Sequence, residues 1–170
     1  MDLRNMERRT DKQNEAEVCI RLERWLQSGW PDLDFRVVPL ETPHDENGNP
    51  QEFPDFMVWR GHLHTGYGEV KCFEKPLDTY LRWGSLLIDD PKLQYLYSLV
   101  RRGFTTQLVY RTADDHILMA NVSKLFSNHD QWEEAPEHFM NTYGNRANGK
   151  KRARPFKGWL LPTDLFEEIP

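Results

Sequence analysis

Two neighbouring apolar segments near the middle of the chain carry charged residues inside a strand pattern. Segments 53–59 and 67–73 are rich in β-branched and aromatic residues, which is typical of β-strands. Segment 61–66 contains two glycines and predicts the turn that joins them. We therefore expect a hairpin that holds acids and a lysine where apolar side chains are usual. Charges in such a position are costly unless a cation or mutual pairing compensates them.

The charged residues of this hairpin are expected to lie on one face. If the hairpin folds symmetrically about His62, Asp55 lies directly opposite Glu69, and the two-residue period of a strand brings Lys71 to the same side. Two adjacent carboxylates can hold Mg²⁺ or Mn²⁺, and a lysine ammonium beside them can orient a water for attack on a phosphodiester. The alternative is a cross-strand salt bridge between Asp55 and Lys71 without catalysis.

The opposite face of the hairpin is apolar and suits packing against a helix. It carries Phe56, Val58, Val70 and Cys72. The other cysteine of the chain, Cys19, also falls on a predicted apolar face. We expect both cysteines to be core thiols in a reducing cytoplasm.

The order of the charged residues resembles the signature of a nuclease superfamily. Pro54-Asp55 followed by Glu69-Val70-Lys71 resembles the motif of the PD-(D/E)xK nucleases, which share the restriction-endonuclease-like fold. The resemblance implies that Asp55, Glu69 and Val70 bind a metal ion and that Lys71 assists the nucleophile. It implies a Mg²⁺- or Mn²⁺-dependent deoxyribonuclease.

A helix is predicted upstream of the hairpin, over residues 14–27, because apolar residues recur there at helical spacing. These residues are Val18, Cys19, Leu22, Trp25 and Leu26. Glu15 lies on the same face, near the helix start. The resembled family places an acid of its first helix in the metal site, and Glu15 fits that position, with Glu17 as the reserve. The alternative is that both glutamates lie in solvent.

A second helix is predicted after the hairpin. Asp90 as N-cap and Pro91 at the first helical position form a start signal, and Gly103 ends the apolar pattern. Lys92 and Gln94 border the apolar face near the helix N-terminus, the end that favours phosphate. Because nucleases of the resembled fold often carry a lysine or glutamine there, Lys92 and Gln94 are candidate nucleic-acid contacts. Ordinary solvation of both is the alternative.

The predicted elements follow the αβββαβ order of the resembled fold. A strand at 34–40 follows the first helix, and strands at 105–111 and 116–122 follow the second. We therefore expect an α/β protein with a mixed central sheet flanked by helices. Segment 74–89 is too long for a simple link and is interpreted as an insertion or cover.

The domain prediction is a single domain with two additions to a nuclease-like core. The core covers residues 12–122, and residues 1–11 form a charged, flexible N-terminus. Residues 123–170 form a C-terminal extension packed on the same domain. In it, a strand is expected at 156–161 and a short helix from Thr163.

Charge is unevenly distributed in this chain, whose net charge is −5. A basic loop at 145–158 contains no acid, so the rest of the chain is more acidic than the total suggests. Its bases are Arg146, Lys150, Lys151, Arg152, Arg154 and Lys157. Such a loop is a candidate phosphate clamp, with Lys150, Lys151, Arg152 and Arg154 as its DNA contacts. A solvated loop is the alternative.

The remaining sequence features narrow the class of protein. No apolar run reaches the length of a membrane span, residues 1–4 open no signal peptide, and no ATP-binding motif is present. We expect a cytoplasmic DNA endonuclease, preferred only weakly over an exonuclease, with a homodimer left open. The alternative is a catalytically silent protein of this fold that binds nucleic acid or another protein.

Overall fold

The helices and strands of the chain are described from a computed structural model. It describes the main chain of residues 3–136 and 157–170, and the side chains of 12–136 and 157–170. The helices are α1 (Leu3–Gly29), α2 (Leu77–Trp83), α3 (Asp90–Arg101) and α4 (Val122–Ser127). The strands are β1 (Phe35–Pro39), β2 (Phe56–Arg60), β3 (Leu63–Cys72), β4 (Ser85–Asp89), β5 (Thr105–Arg111), β6 (Ile117–Asn121), β7 (Glu133–Glu134), β8 (Gly158–Pro162) and β9 (Glu167–Ile169).

The main sheet has the strand order β1-β2-β3-β5-β6-β9. Its central pair, β3 and β5, is parallel, and the other pairs are antiparallel. A parallel pair needs a crossover between its strands, and α3 lies within that crossover. The predicted mixed α/β sheet flanked by helices is confirmed, and so is the predicted αβββαβ order, with α2 and β4 inserted before α3.

Two apolar clusters fix the helices on opposite faces of this sheet. On one face α1 buries Val18 and Leu22 against Phe56 and Val70. On the other face α3 and α4 pack on β5 and β6 through the following buried residues: Leu93, Leu96, Leu99, Leu108, Leu118, Ala120 and Leu125. Because side chains alternate along a strand, β3 presents Val70 to α1 and presents Glu69 and Lys71 to the α3 side.

The signature hairpin forms in the predicted register, but its turn is shorter than predicted. Phe56 pairs with Gly68, which is the register that symmetry about His62 requires. The prediction of a turn over 61–66 is wrong, because β3 already begins at Leu63. Pairing then passes from Val58–Gly66 to Trp59–His64, so Thr65 is an extra residue, a β-bulge in β3.

Segment 74–89 forms part of a second, smaller sheet. After α2, strand β4 pairs with β8, and β8 pairs with β7. The interpretation as an insertion fits this arrangement. The strand predicted at 156–161 corresponds to β8, and a 3-10 helix at Thr163–Leu165 matches the predicted short helix.

The structure corrects two local predictions, which concern Cys72 and the start of α3. Cys72 is exposed rather than part of the core, whereas Cys19 is buried. The N-cap of α3 is Asp89, so Asp90 is the first helical residue. No helix in the described ranges combines the length and apolar character that a bilayer crossing needs. The division into a core, N-terminus and extension stays a prediction.

Candidate active site

Asp55 is fixed where β2 begins. Its main-chain N–H donates to the Gly68 carbonyl at 2.9 Å, and its own carbonyl accepts from Leu40 at 2.7 Å. Its side-chain Oδ2 accepts from the Val70 N–H at 2.8 Å. The Asp55 carboxylate is therefore held against the end of β3, next to Glu69.

The surroundings of Asp55 disfavour its charge. Burial, and then the nearby Glu69 carboxylate, raise the pKa of Asp55 to about 7. The Val70 hydrogen bond and the Lys92 ammonium act in the opposite direction. A buried acid whose like-charged neighbour raises its pKa gains from a cation that pairs with both carboxylates.

Glu69 is the most deeply buried acid of the site, with 4 % of its side chain exposed. Its Oε1 lies 3.3 Å from the Lys71 ammonium and 3.1 Å from the Lys92 ammonium. Its Oε2 is buried and has no hydrogen-bond partner among the described residues. A buried carboxylate oxygen without a partner is costly, so a further ligand would stabilise this position.

Lys92 is drawn into the site by two acids. Besides Glu69, it contacts Glu52 Oε2 at 2.9 Å, and 15 % of its side chain is exposed. Burial acts against the charged form of Lys92, but Glu69 and Glu52 outweigh it and raise the pKa. Glu52 was not a candidate from the sequence, because nothing local links it to a lysine forty residues later. The contact exists only once α3 has packed beside the hairpin.

The structure separates the two helix acids. Glu15 is half-buried, and its charge raises the pKa of both Asp55 and Cys19. Glu17 faces elsewhere and pairs with Arg111 Nη1 at 2.7 Å. Of the two candidates, therefore, Glu15 is the one whose charge reaches the site.

Cys19 lies among the same acids. Burial, followed by the charges of Glu15 and Asp55, raises the pKa of the Cys19 thiol to about 12. The side chain therefore stays a neutral thiol at ordinary pH. It serves as apolar packing beneath the site rather than as a metal ligand.

Other candidate contacts are not brought to this cluster. Gln94 is exposed, and its amide donates to Asp90 Oδ1 at 3.2 Å. Lys150, Lys151, Arg152 and Arg154, like Arg146, lie outside the described residues. Lys157 is described, and it lies 3.5 Å from Glu134 and above the Trp159 ring.

The donors present suit a cation that needs few protein ligands. No group of three or more His, Cys, Asp or Glu side chains in the described part of the chain could hold a metal ion. Mg²⁺, however, keeps several waters and is often held by only one or two carboxylates. The unpartnered Oε2 of Glu69 beside Asp55 fits such an ion. In a strand, the N–H and C=O of one residue point to the same side, so the Val70 carbonyl lies on the β2 side of β3, as its N–H does.

The likeness to known proteins lies in the structure and not in the sequence. No family model matches the chain, and no curated protein matches it in sequence. A nuclease from a fusselovirus superposes with a TM-score of 0.50 at 10% identity, covering 89% of this chain and 80% of that one. The fold is restriction-endonuclease-like. A Holliday junction resolvase from the archaeal hyperthermophile Archaeoglobus fulgidus covers 81% of this chain and 85% of its own, with a TM-score of 0.36 and 14% identity.

Proposed function

We propose that the chain is a metal-dependent nuclease that hydrolyses phosphodiester bonds of DNA, acting as an endonuclease. The observation that carries this proposal is that the Asp55 carboxylate lies beside a buried Glu69 carboxylate, whose Oε2 has no partner among the described residues. The restriction-endonuclease-like fold, shared with a viral nuclease, supports it.

The acids of the hairpin supply the cation site in this proposal. Asp55, Glu69 and the Val70 carbonyl would hold Mg²⁺ or Mn²⁺, which when bound would polarise the phosphoryl oxygen and lower the pKa of an attacking water. Glu15 adds negative charge from α1 and so favours a cation at Asp55. The Val70 N–H keeps the Asp55 carboxylate in one orientation.

The lysines act on the substrate in this proposal. The Lys71 ammonium, 3.3 Å from Glu69, orients the attacking water and stabilises the charge that develops on the phosphate. Lys92, near the N-terminus of α3, contacts a neighbouring phosphate oxygen. Gln94 and the basic residues Lys150, Lys151, Arg152 and Arg154 bind phosphates farther along the DNA.

The proposed setting is a reducing cytoplasm, which suits the two free cysteines. The reaction needs no ATP, because hydrolysis of a phosphodiester is favourable by itself. That the chain acts on DNA as a homodimer stays a prediction. Size-exclusion chromatography of the chain with and without a DNA duplex tests it.

A second candidate function is a silent protein that keeps this fold only to bind DNA or another protein. The observation that favours it is the double pairing of Glu69 Oε1 with Lys71 and Lys92, which neutralises the carboxylate without a metal. In that case, added metal would neither change the stability of the chain nor lead to cleavage of DNA.

The deciding experiment is cleavage of supercoiled plasmid with Mg²⁺ or Mn²⁺, and then with excess chelator. We expect metal-dependent nicking that Asp55→Asn and Glu69→Gln abolish. The amide introduced by Asp55→Asn keeps an oxygen to accept the Val70 N–H, so the fold should persist. Asp130→Asn, an exposed acid outside the site, is the matched control and should cut like the unaltered chain. Undiminished cutting by Asp55→Asn would end the proposal.

A further inference from the structure

The bulge in β3 changes which side chains accompany the acids. On the α3 side of the hairpin, each row is a pair of residues that face each other across β2 and β3. The row of Asp55 and Glu69 is followed by the row of Met57 and Tyr67. Without the bulge the next row would pair Trp59 with Thr65. Because Thr65 is the extra residue, His64 takes its place beside Trp59. The bulge thus replaces a small hydroxyl side chain with a ring.

The rings on this face form one contiguous cluster, a column centred on His64. The His64 ring contacts both Trp59, with centroids 5.3 Å apart, and Phe104, with centroids 5.0 Å apart, and the ring planes are tilted by 37° and 31°. Tyr67 meets His64 and Phe104 edge-on. The His64 Nε2–H donates to the Gly66 carbonyl at 2.9 Å, which fixes the ring. We call Trp59, His64, Tyr67 and Phe104 the aromatic platform.

Each ring of the aromatic platform is only partly buried. Trp59 meets His64 and no other ring in the described ranges, so it is the last ring of the column at this end. The other end is covered by the Arg102 guanidinium, 5.8 Å from the Phe104 ring centre. A basic group beside partly exposed rings is the pattern that binds single-stranded nucleic acid.

The platform is continuous with the candidate active site. Two residues along a strand span about 7 Å, so Tyr67 lies one such step and His64 about two steps from the acids. Between them, α3 contributes Tyr95, whose ring lies under Lys92 at 6.0 Å. Rings and cations therefore lie on the same side of the hairpin as Glu69.

We propose that the aromatic platform stacks unpaired bases of a DNA strand that enters the active site, so the substrate carries a single-stranded segment next to the cleaved phosphate. This inference rests on the proposed nuclease function. Paired bases within a duplex already stack on each other and offer no free face to a ring. Unpaired bases do, and the contact tolerates any sequence because every base has a π-face.

The test measures binding in excess chelator, where no cleavage occurs. Three DNA probes share one duplex: one is blunt, one carries a thymidine tail of about eight nucleotides, and one carries an abasic tail of the same length. We expect the thymidine tail to bind about five- to tenfold more tightly than the abasic tail, because phosphates are equal and only stacking differs.

Variants locate the effect. Trp59→Leu keeps apolar bulk and should bring the two tailed probes within about twofold of each other, with affinity for the blunt duplex unchanged. Trp30→Leu, a half-exposed tryptophan on the α1 side of the sheet, is the matched control and should keep the difference. If Trp59→Leu does not fold, quenching of a fluorescent adenine analogue placed in the tail reports stacking on the unaltered chain.

The outcomes separate this inference from the proposed function. Equal binding of thymidine and abasic tails, or an analogue that stays bright on binding, would reduce the platform to a packing cluster that closes the hairpin. Plasmid cleavage could still be intact in that case. A chain that neither binds any probe nor nicks plasmid would overturn the proposed function and this inference together.

Discussion

The Lys92 ammonium lies 3.1 Å from Glu69 Oε1, so a helix residue supplies a positive charge to the acid that the sequence motif contributes. Glu52 Oε2 lies 2.9 Å from the same ammonium and pairs with it as well. Without a metal, this ammonium and that of Lys71 offset part of the negative charge of the site. A bound cation would compete with them for Glu69.

This competition predicts that Lys92→Met raises metal affinity. The variant removes a positive charge a few ångströms from the proposed cation, and one such interaction is worth at least tenfold in affinity at the effective dielectric of a protein. Calorimetric titration should show a higher affinity for Mn²⁺, and Mg²⁺ should raise the melting temperature more than it does in the unaltered chain. Lys12→Met removes a lysine of an exposed pair with Glu41 and should change neither. An equal or weaker response in Lys92→Met would contradict competition.

The two acids of α1 give a matched pair for testing the helix contribution. Glu15→Gln should weaken Mn²⁺ binding several-fold, because its charge reaches Asp55. Glu17→Gln should leave metal binding unchanged and cost under about 1 kcal/mol of stability, since its partner Arg111 also pairs with Asp115. Titration calorimetry and thermal unfolding check both variants. The reverse ranking would mean that Glu17 is the site acid.

The raised pKa of Asp55 predicts how stability depends on pH in chelator. Between about pH 4 and pH 7 the folded state keeps a proton on Asp55 that the unfolded state has lost. The free energy of unfolding should therefore fall as pH rises through this window, by up to about 1.4 kcal/mol per pH unit from this group. Other carboxylates also titrate here, so the difference between the unaltered chain and Asp55→Asn isolates the effect. A constant difference from pH 4 to 7 would disprove it.

Much of the fold was predictable because its signals are local. The periodicity around Leu22 predicts residues 14–27 of α1, which in the structure begins earlier, at Leu3, and the glycines on either side of His62 predict a hairpin in the register observed. The extra residue at Thr65 was not predictable. Glycines at 61 and 66 suggested one long turn, whereas the chain turns tightly at Gly61, whose φ is +59°, and pairs again at once.

The candidate site was predictable only where it lies in one hairpin. Asp55, Glu69 and Lys71 follow from strand alternation within a short segment. Lys92 was placed near a helix start, but its contact with Glu52 depends on how α3 packs across the sheet, which no periodicity encodes. The contact of the Phe104 ring with His64 of the hairpin has the same tertiary origin.

The packing around Gly68 predicts that any side chain at this position destabilises the hairpin. A Cβ there would lie 1.9 Å from Cζ of Phe56, whose ring is fully buried against α1. Gly68→Ala should cost about 1–3 kcal/mol or more in denaturant unfolding, because a packed ring must move. Adding Phe56→Leu should recover part of the loss. Gly29→Ala meets no atom within 4 Å and should not destabilise the chain. Equal stability of both alanine variants would refute this packing.

The basic loop at 145–158 predicts that DNA binding depends on salt concentration. Each phosphate neutralised contributes about −0.9 to the slope of log affinity against log salt concentration. Replacing Lys150, Lys151 and Arg152 together with alanine should therefore flatten the slope by about two to three units, while cleavage at saturating DNA stays nearly unchanged. Fluorescence anisotropy of a labelled duplex, measured in chelator between about 50 and 200 mM salt, gives the slope.

Lys157 provides the control for this last prediction within the same basic segment. Its ammonium already pairs with Glu134 at 3.5 Å and lies 4.2 Å from the Trp159 ring centre. Lys157→Ala should therefore flatten the slope by well under the full ~0.9 expected of a free phosphate contact. A triple variant with an unchanged slope would return the segment to a solvated surface loop. We would then expect the phosphate contacts near the candidate active site, from Lys71, Lys92 and Arg102.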